Sequence, residues 1–272
     1  YDLLAINVPS SYQQGMIPDG EEPPWGMLRV VATARETYGF NAGILDAHRL
    51  KLSSDEIKKQ IIKTRARLIG LNPTSVNVSE ARVIADICTD LQIPYILGGI
   101  HATLDPRIAR GDFPEAYAII RGNGELAIKE VLESFHNGNP RSENEGIYYW
   151  DQNPSKGYYT KKMKPGEIPL IRQDVYIEQP IYTHTVKIGG KAQEIHEATL
   201  FVTDGCPFEC TFCSSPVMVN RKGDVPYARP EVARIVDEVQ DVVNLGANAI
   251  HFLDDMAFIT GKNIKDFSRE TE

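Results

Sequence analysis

Short apolar runs alternate with segments of helical periodicity through the first half of the chain. Leu3–Asn7, Ala42–Asp46, Leu68–Asn72, Tyr95–Gly98 and Ala116–Ile120 are short and mostly apolar. Continuous apolar runs of that length suit strands buried on both faces, as in a parallel sheet covered by helices. Between them lie amphipathic segments with recognisable ends. Ser53 with Glu56 three residues on predicts a capping box before Ile57, Ile61 and Ile62. Ser79 is expected to cap a segment whose Ala81, Ile84, Ala85 and Cys88 face inward. Gly124 to Phe135 forms a third, stopped by Asn137-Gly138.

Repeated β-α-β units predict an α/β fold: an N-terminal doubly wound parallel sheet of flavodoxin-like or Rossmann-like kind, over residues 1–140. Ligands of such sheets bind at the carboxyl ends of the strands. Residues 141–195 read as a connector, with a β-hairpin of Gly146–Trp150 and Gly157–Tyr159 around Asp151–Lys156, then Pro165, Pro169 and Pro180. From residue 196 the alternation resumes. Thr199–Thr203 is the predicted strand before a cysteine loop. Pro230 begins a helix with Val232, Ile235, Val236, Val239 and Val242 inward and Gly246 at its close. Ala249–Leu253 is the next strand, and a further helix begins near Asn263. Two βα units fall short of a closed barrel, so residues 196–272 are expected to be the start of a partial (β/α) barrel in a chain cut short.

Composition narrows the function classes. The 272 residues are 42% hydrophobic and 24% charged, as in a soluble globular protein. A net charge of −8 argues against broad binding to nucleic acid or anionic membrane. No apolar stretch reaches the ~20 residues of a membrane span. The N-terminus has no basic start or cleavage site of a signal peptide and reads as a buried strand; it has no initiator Met, so its start is expected to be trimmed or processed. Three of four cysteines lie within eight residues, which predicts a metal site in a reducing, cytoplasmic compartment rather than a disulfide framework.

That site is Cys206-x-x-x-Cys210-x-x-Cys213. Three thiolates can ligate three corners of a four-iron, four-sulfur ([4Fe–4S]) cluster and leave the fourth iron open to a cofactor. Phe212 offers an aromatic face to a purine. The rival is structural zinc with His251 or His196 as the fourth ligand, although no second knuckle is present.

The run Val202–Cys213, through Asp204-Gly205-Cys206-Pro207-Phe208-Glu209-Cys210, resembles the signature loop of the radical S-adenosylmethionine superfamily. The resemblance implies that the three cysteines hold the cluster and that its unique iron chelates S-adenosylmethionine. One electron then yields a 5′-deoxyadenosyl radical, with flavodoxin or ferredoxin as the kind of donor. It also implies a contact to the methionine amino group from the second strand end. Here that position is Leu253-Asp254-Asp255 rather than the commoner Gly-Gly-Glu, so Asp254 or Asp255 takes the role.

The preceding domain resembles the cobalamin-binding domain of the B12-dependent class of that superfamily. The matching pieces are Pro23-Pro24-Trp25-Gly26, Ile44–Ala47, Gly70–Ser75, Gly98–Thr103 and Gly122–Glu125. Cobalamin contacts are thereby expected from Trp25, Gly26, Thr74, Ser75, Gly98, Gly99, His101, Thr103, Gly122, Gly124 and Glu125. Glycines at strand ends let backbone approach a large flat ligand. Asp46-Ala47-His48 is similar to a cobalt-ligating Asp-x-His-x-x-Gly motif, but Lys51 replaces the glycine and the segment follows the second strand. His48 is therefore not expected to ligate cobalt. Cys88 reads as a core residue.

The resemblance implies a cobalamin-dependent radical enzyme, most often a methyltransferase at an unactivated carbon or phosphorus of a small-molecule or peptide substrate. The alternatives are a rearrangement or cyclisation with the same cofactors, and a cobalamin-binding sensor or carrier.

Overall fold

The computed structural model describes residues 1–10, 23–139, 144–154, 159–170, 181–215, 227–257 and 261–270. Two compact units divide the chain, one holding Pro24–Met163 with the strand before it, the other Glu178–Glu272.

The first unit is a sheet in the order β2-β1-β3-β4-β5-β6. Its strands are β1 (Leu3–Asn7), β2 (Ala42–Asp46), β3 (Ile69–Leu71), β4 (Tyr95–Leu97), β5 (Ala118–Ile120) and β6 (Ile147–Tyr149). The first five are parallel, and β6 joins β5 antiparallel, Ile119 opposite Tyr148. Leu4, Ile6, Leu71 and Leu97 are buried within one core, as the continuous apolar runs require. The helices are α1 (Trp25–Ala32), α2 (Ser54–Thr64), α3 (Val78–Asp90), α4 (Gly99–Leu104), α5 (Pro106–Asp112) and α6 (Gly124–Asn137).

The capping box of α2 is complete. The Ser53 hydroxyl accepts from the Glu56 N–H, and the Glu56 carboxylate accepts from the Ser53 N–H at 2.8 Å. Ile57 and Ile61 are buried, whereas Ile62 is exposed, one residue being about 100° of helix rotation. Ser79 does not cap α3; the cap position is Asn77, and the Ser79 hydroxyl bonds Glu80 instead. Gly138 ends α6 in the left-handed conformation.

Of the predicted hairpin of residues 146–159, the first strand is present as β6 and pairs with β5, while its turn and second strand fall largely outside the described residues. Gly157, Tyr158, Lys156, Pro140 and Pro180 lie outside the described residues. Because β6 joins the sheet, the first unit runs past residue 140 to Met163. Tyr159 and Thr160 cross the end of β5: the Thr160 N–H donates to the Arg121 carbonyl at 2.8 Å, and the Arg121 guanidinium lies 4.0 Å from the Tyr159 ring centre.

The second unit holds a sheet ordered β11-β8-β7. Strands β7 (Ile181–Ile188) and β8 (Lys191–Leu200) form a hairpin across Gly189-Gly190, both with positive φ as a two-residue turn demands. The strand predicted at Thr199–Thr203 therefore starts earlier and ends sooner. From β8 the chain passes through β9 (Asp204–Gly205), β10 (Tyr227–Ala228) and α7 (Val232–Asn244) to β11 (Ala249–Phe252), parallel to β8. Helix α8 (Gly261–Glu270) follows. Ile235 and Val242 of α7 are buried, while β11 is only half-buried. Among the described residues these elements form an open sheet. No described helix is long and apolar enough to cross a membrane.

Ser53→Ala removes the cap oxygen of α2 and should lower stability by about 1 kcal/mol in a urea titration. Ile62→Ala on the exposed face should stay within about 0.5 kcal/mol of the parent.

Candidate functional site: two strand-end centres

Strand order reverses at β1, which lies between β2 and β3, so the crevice of the first sheet opens beyond the ends of β1 and β3. Ser10 follows β1, His48 follows β2, Asn72 to Ser75 follow β3, and Gly98 to Thr103 follow β4. Asn7 donates to Asp46 at 2.8 Å across the ends of β1 and β2. His48 Nδ1 accepts from the Ser10 N–H at 3.1 Å, which commits that nitrogen to the loop after β1.

Many expected ligand contacts also hold the scaffold. The Thr103 hydroxyl donates to the Gly99 carbonyl at 2.8 Å and accepts from the Gly122 N–H at 3.1 Å. Gly122 has φ +102°, and a Cβ there would meet Thr160 Oγ1 at 2.9 Å; the crossing Tyr159-Thr160 segment requires its small size. At Gly99, φ +78°, a Cβ would meet Asn72 at 3.0 Å. Gly124 faces Val30, where a Cβ would come within 2.6 Å, so it sets the approach of α6 to α1. Glu125 is buried and pairs with Arg29 of α1 at 3.3 Å. His101 Nε2 contacts the Asp112 carboxylate at 3.0 Å, and Asp112 also pairs with Arg82. Thr74 donates to Asn77 through both its N–H and its hydroxyl, at 2.7 and 3.0 Å. Ser75 and Gly26 are exposed, and Gly26 and Gly98 have open space where a side chain would be.

Other polar atoms at this end lack partners. Ser10 Oγ, Trp25 Nε1 and Asn72 Oδ1 are buried with no hydrogen bond among the described residues. Each unpaired buried group costs about 1–3 kcal/mol. The three need an acceptor for the indole N–H, a donor for the amide oxygen, and either for the hydroxyl. A ligand fringed with amides, such as a corrinoid, supplies both. Of these residues only Trp25 was expected from the sequence. Ser10 lies in no motif of the chain, and Asn72 lies within the Gly70–Ser75 segment without being singled out there; the adjacency of β1 and β3 brings both out.

In the second unit, β9 pairs with β10, Gly205 opposite Tyr227, and so closes the base of the cysteine loop. Cys206 is half-buried, and Cys210 and Cys213 are exposed; all three are free thiols. The Cys213 N–H donates to the Cys210 carbonyl at 3.1 Å, and the Ser215 N–H lies 3.4 Å from Cys213 Sγ. Among the described residues no three His, Cys, Asp or Glu side chains converge as a metal-holding group. His196 contacts Glu194 at 3.1 Å and His251 contacts Glu197 at 3.7 Å, both on the sheet. Phe208 is 52% exposed and Phe212 91% exposed, apolar rings a loop keeps in water only at a cost. Three free thiols on one short loop, with an N–H directed at sulfur, suit an iron–sulfur cluster by donor chemistry. Asp254 accepts from the Val202 N–H at 3.2 Å and from the N–H and hydroxyl of Thr203; Asp255 accepts from the Ser215 hydroxyl at 2.6 Å.

Cys88 stands apart in the core of the first unit. Burial pushes its thiol up from 9.0 to about 12. Its raised value favours the protonated folded form, so its contribution to stability is lost as pH rises from about 9.

Residues 18–132 match the family model described as the B12 binding domain. The chain is 25% identical over 249 residues to the uncharacterized methyltransferase PH0819 of Pyrococcus horikoshii, covering 90% of this chain and 51% of that protein. The chain thus spans about half the length of this curated relative. Among solved structures it resembles the apo, selenomethionine-labelled cobalamin-dependent S-adenosylmethionine radical enzyme OxsB, with a TM-score of 0.70 and 16% identity. That likeness covers 98% of this chain and 36% of the other, and it is a likeness of fold. The parallel α/β architecture read from the sequence agrees with these matches.

In the metal-free, reduced chain at pH 8, iodoacetamide should modify Cys206, Cys210 and Cys213 while Cys88 reacts only after denaturation, because the thiolate is the nucleophile. Peptide mass mapping checks the order.

Proposed function

We propose, from the premise that residues 18–132 match a B12 binding domain, that this chain is the cofactor-binding part of a cobalamin-dependent radical S-adenosylmethionine methyltransferase. The observation that carries the reading is the three-thiol loop at a strand end of the second unit, in the same chain as that match. The name of the Pyrococcus relative favours methyl transfer over rearrangement.

When bound, the cluster supplies one-electron cleavage of the S-adenosylmethionine sulfonium, and the corrinoid supplies the methyl group. Cys206, Cys210 and Cys213 are the proposed cluster ligands. Phe212, whose ring is almost wholly exposed, is the proposed cover for a purine. On the first unit, Ser10, Trp25 and Asn72 hydrogen-bond the amides of the corrinoid rim, while Gly98 and Gly99 let backbone come close. The Nδ1 of His48 accepts from the Ser10 N–H in the loop after β1, so His48 is not among the residues that would hold the corrinoid.

Anaerobic reconstitution should give a brown protein with about four irons per chain. Hydroxocobalamin should stay with the chain through gel filtration. Cys210→Ala should abolish iron uptake and 5′-deoxyadenosine formation while leaving cobalamin bound. Asn72→Ala should weaken cobalamin about tenfold by equilibrium titration. Stoichiometric zinc without iron, or passage of cobalamin through the column unretained, would reject the corresponding half of the proposal.

A further inference from the structure

At the carboxyl end of β11 two adjacent carboxylates take separate partners on either side of the cysteines. Asp254 Oδ2 accepts from the Val202 N–H at 3.2 Å, and its Oδ1 accepts from both the N–H and the hydroxyl of Thr203. Val202 and Thr203 are buried and lead into the loop. Asp255 takes the hydroxyl of Ser215 at 2.6 Å, just past the last cysteine, and the N–H of Ser215 points at Cys213 Sγ. The backbone of β11 reaches the same place through the Leu253 N–H, which donates to the Leu200 carbonyl at 2.9 Å.

We infer that Asp254 and Asp255 form a two-point clamp that holds both ends of the Cys206–Cys213 loop against β11. Asp254 is a positioning residue for the three thiols rather than a contact to S-adenosylmethionine. The inference deepens the proposed function and rests on it for the identity of the cluster, but not for the clamp itself.

Three hydrogen bonds converge on the Asp254 carboxylate, and two of the donors are backbone N–H groups of buried residues just past the end of β8 at Leu200, for which no other acceptor is seen among the described residues. Hydrogen bonds to a charged acceptor are the stronger kind. Withdrawing the carboxylate to bind an ammonium group would strand Val202 and Thr203 in the interior. Asp255 is exposed and, among the described residues, accepts only from the Ser215 hydroxyl, so it keeps acceptor capacity for such a cofactor group.

Hydrogen–deuterium exchange on the metal-free chain reads the clamp without any cofactor. Asp254→Ala should speed exchange at Val202 and Thr203 by about tenfold or more, with exchange in the first unit unchanged as the control for folding. Thr203→Val, which removes the hydroxyl donor, should move the same amides by a smaller factor, and Thr203→Ser should restore the parent rates. In the iron-loaded chain, Asp254→Ala should lose iron to a chelator severalfold faster than the parent. Reduced-cluster spectra should still change on adding S-adenosylmethionine to whatever cluster remains. The clamp is overturned if Asp254→Ala leaves amide exchange and iron loss at parent values while abolishing that spectral change. Failure of the parent chain to take up iron would instead refute the proposed function, and the amide measurement would still decide the clamp.

Discussion

Parallel strands cannot be joined by a tight turn, and that constraint organises the first unit. Each of β1 to β4 must hand the chain to a crossover before the next parallel strand begins, so the loops that leave their carboxyl ends emerge on one side. Burial of both sheet faces forces the strands to be short and apolar, which leaves the polar chemistry nowhere to go but those ends. Placing β1 between β2 and β3 then opens the crevice where Ser10 Oγ and Asn72 Oδ1 have no partner among the described residues.

The residues around that crevice divide by what they already touch. Thr103, Glu125 and Gly124 spend their groups on the fold itself: a hydroxyl bridging α4 to the end of β5, a carboxylate buried against Arg29, and a missing Cβ where Val30 packs. A residue so engaged shapes a site by holding backbone in place. Buried atoms with no partner are the ones whose free energy improves when a ligand arrives. The same distinction applies at β11, where Asp254 accepts from two backbone N–H groups and the Thr203 hydroxyl while Asp255 accepts from the Ser215 hydroxyl.

Much of the architecture was legible because local signals and tertiary demands agree. The apolar runs at residues 3–7 and 42–46 coincide with β1 and β2, and the Ser53–Glu56 box starts α2. The hairpin β7–β8 was hidden because Lys191–Glu194 is exposed and, Ala192 apart, polar, so no inward-facing period marks that end of the strand. Its Gly189-Gly190 turn was the available signal. Strand β6 has the right composition for a strand, but periodicity says nothing about a partner, and its pairing with β5 depends on long-range contact.

The amino-acid sequence by itself determined the three-thiol loop, since ligand spacing within eight residues is a local property of the chain. It also determined the run of βα units, since burial on both faces leaves a readable apolar pattern. Only the tertiary structure decided which polar groups remain available at the strand ends. That depends on neighbours far apart in sequence: Ser10 beside His48, Gly122 beneath Thr160, and Asp254 across 51 residues from Thr203. Hydrogen-bond capacity is finite, and only the folded chain shows where it has been used.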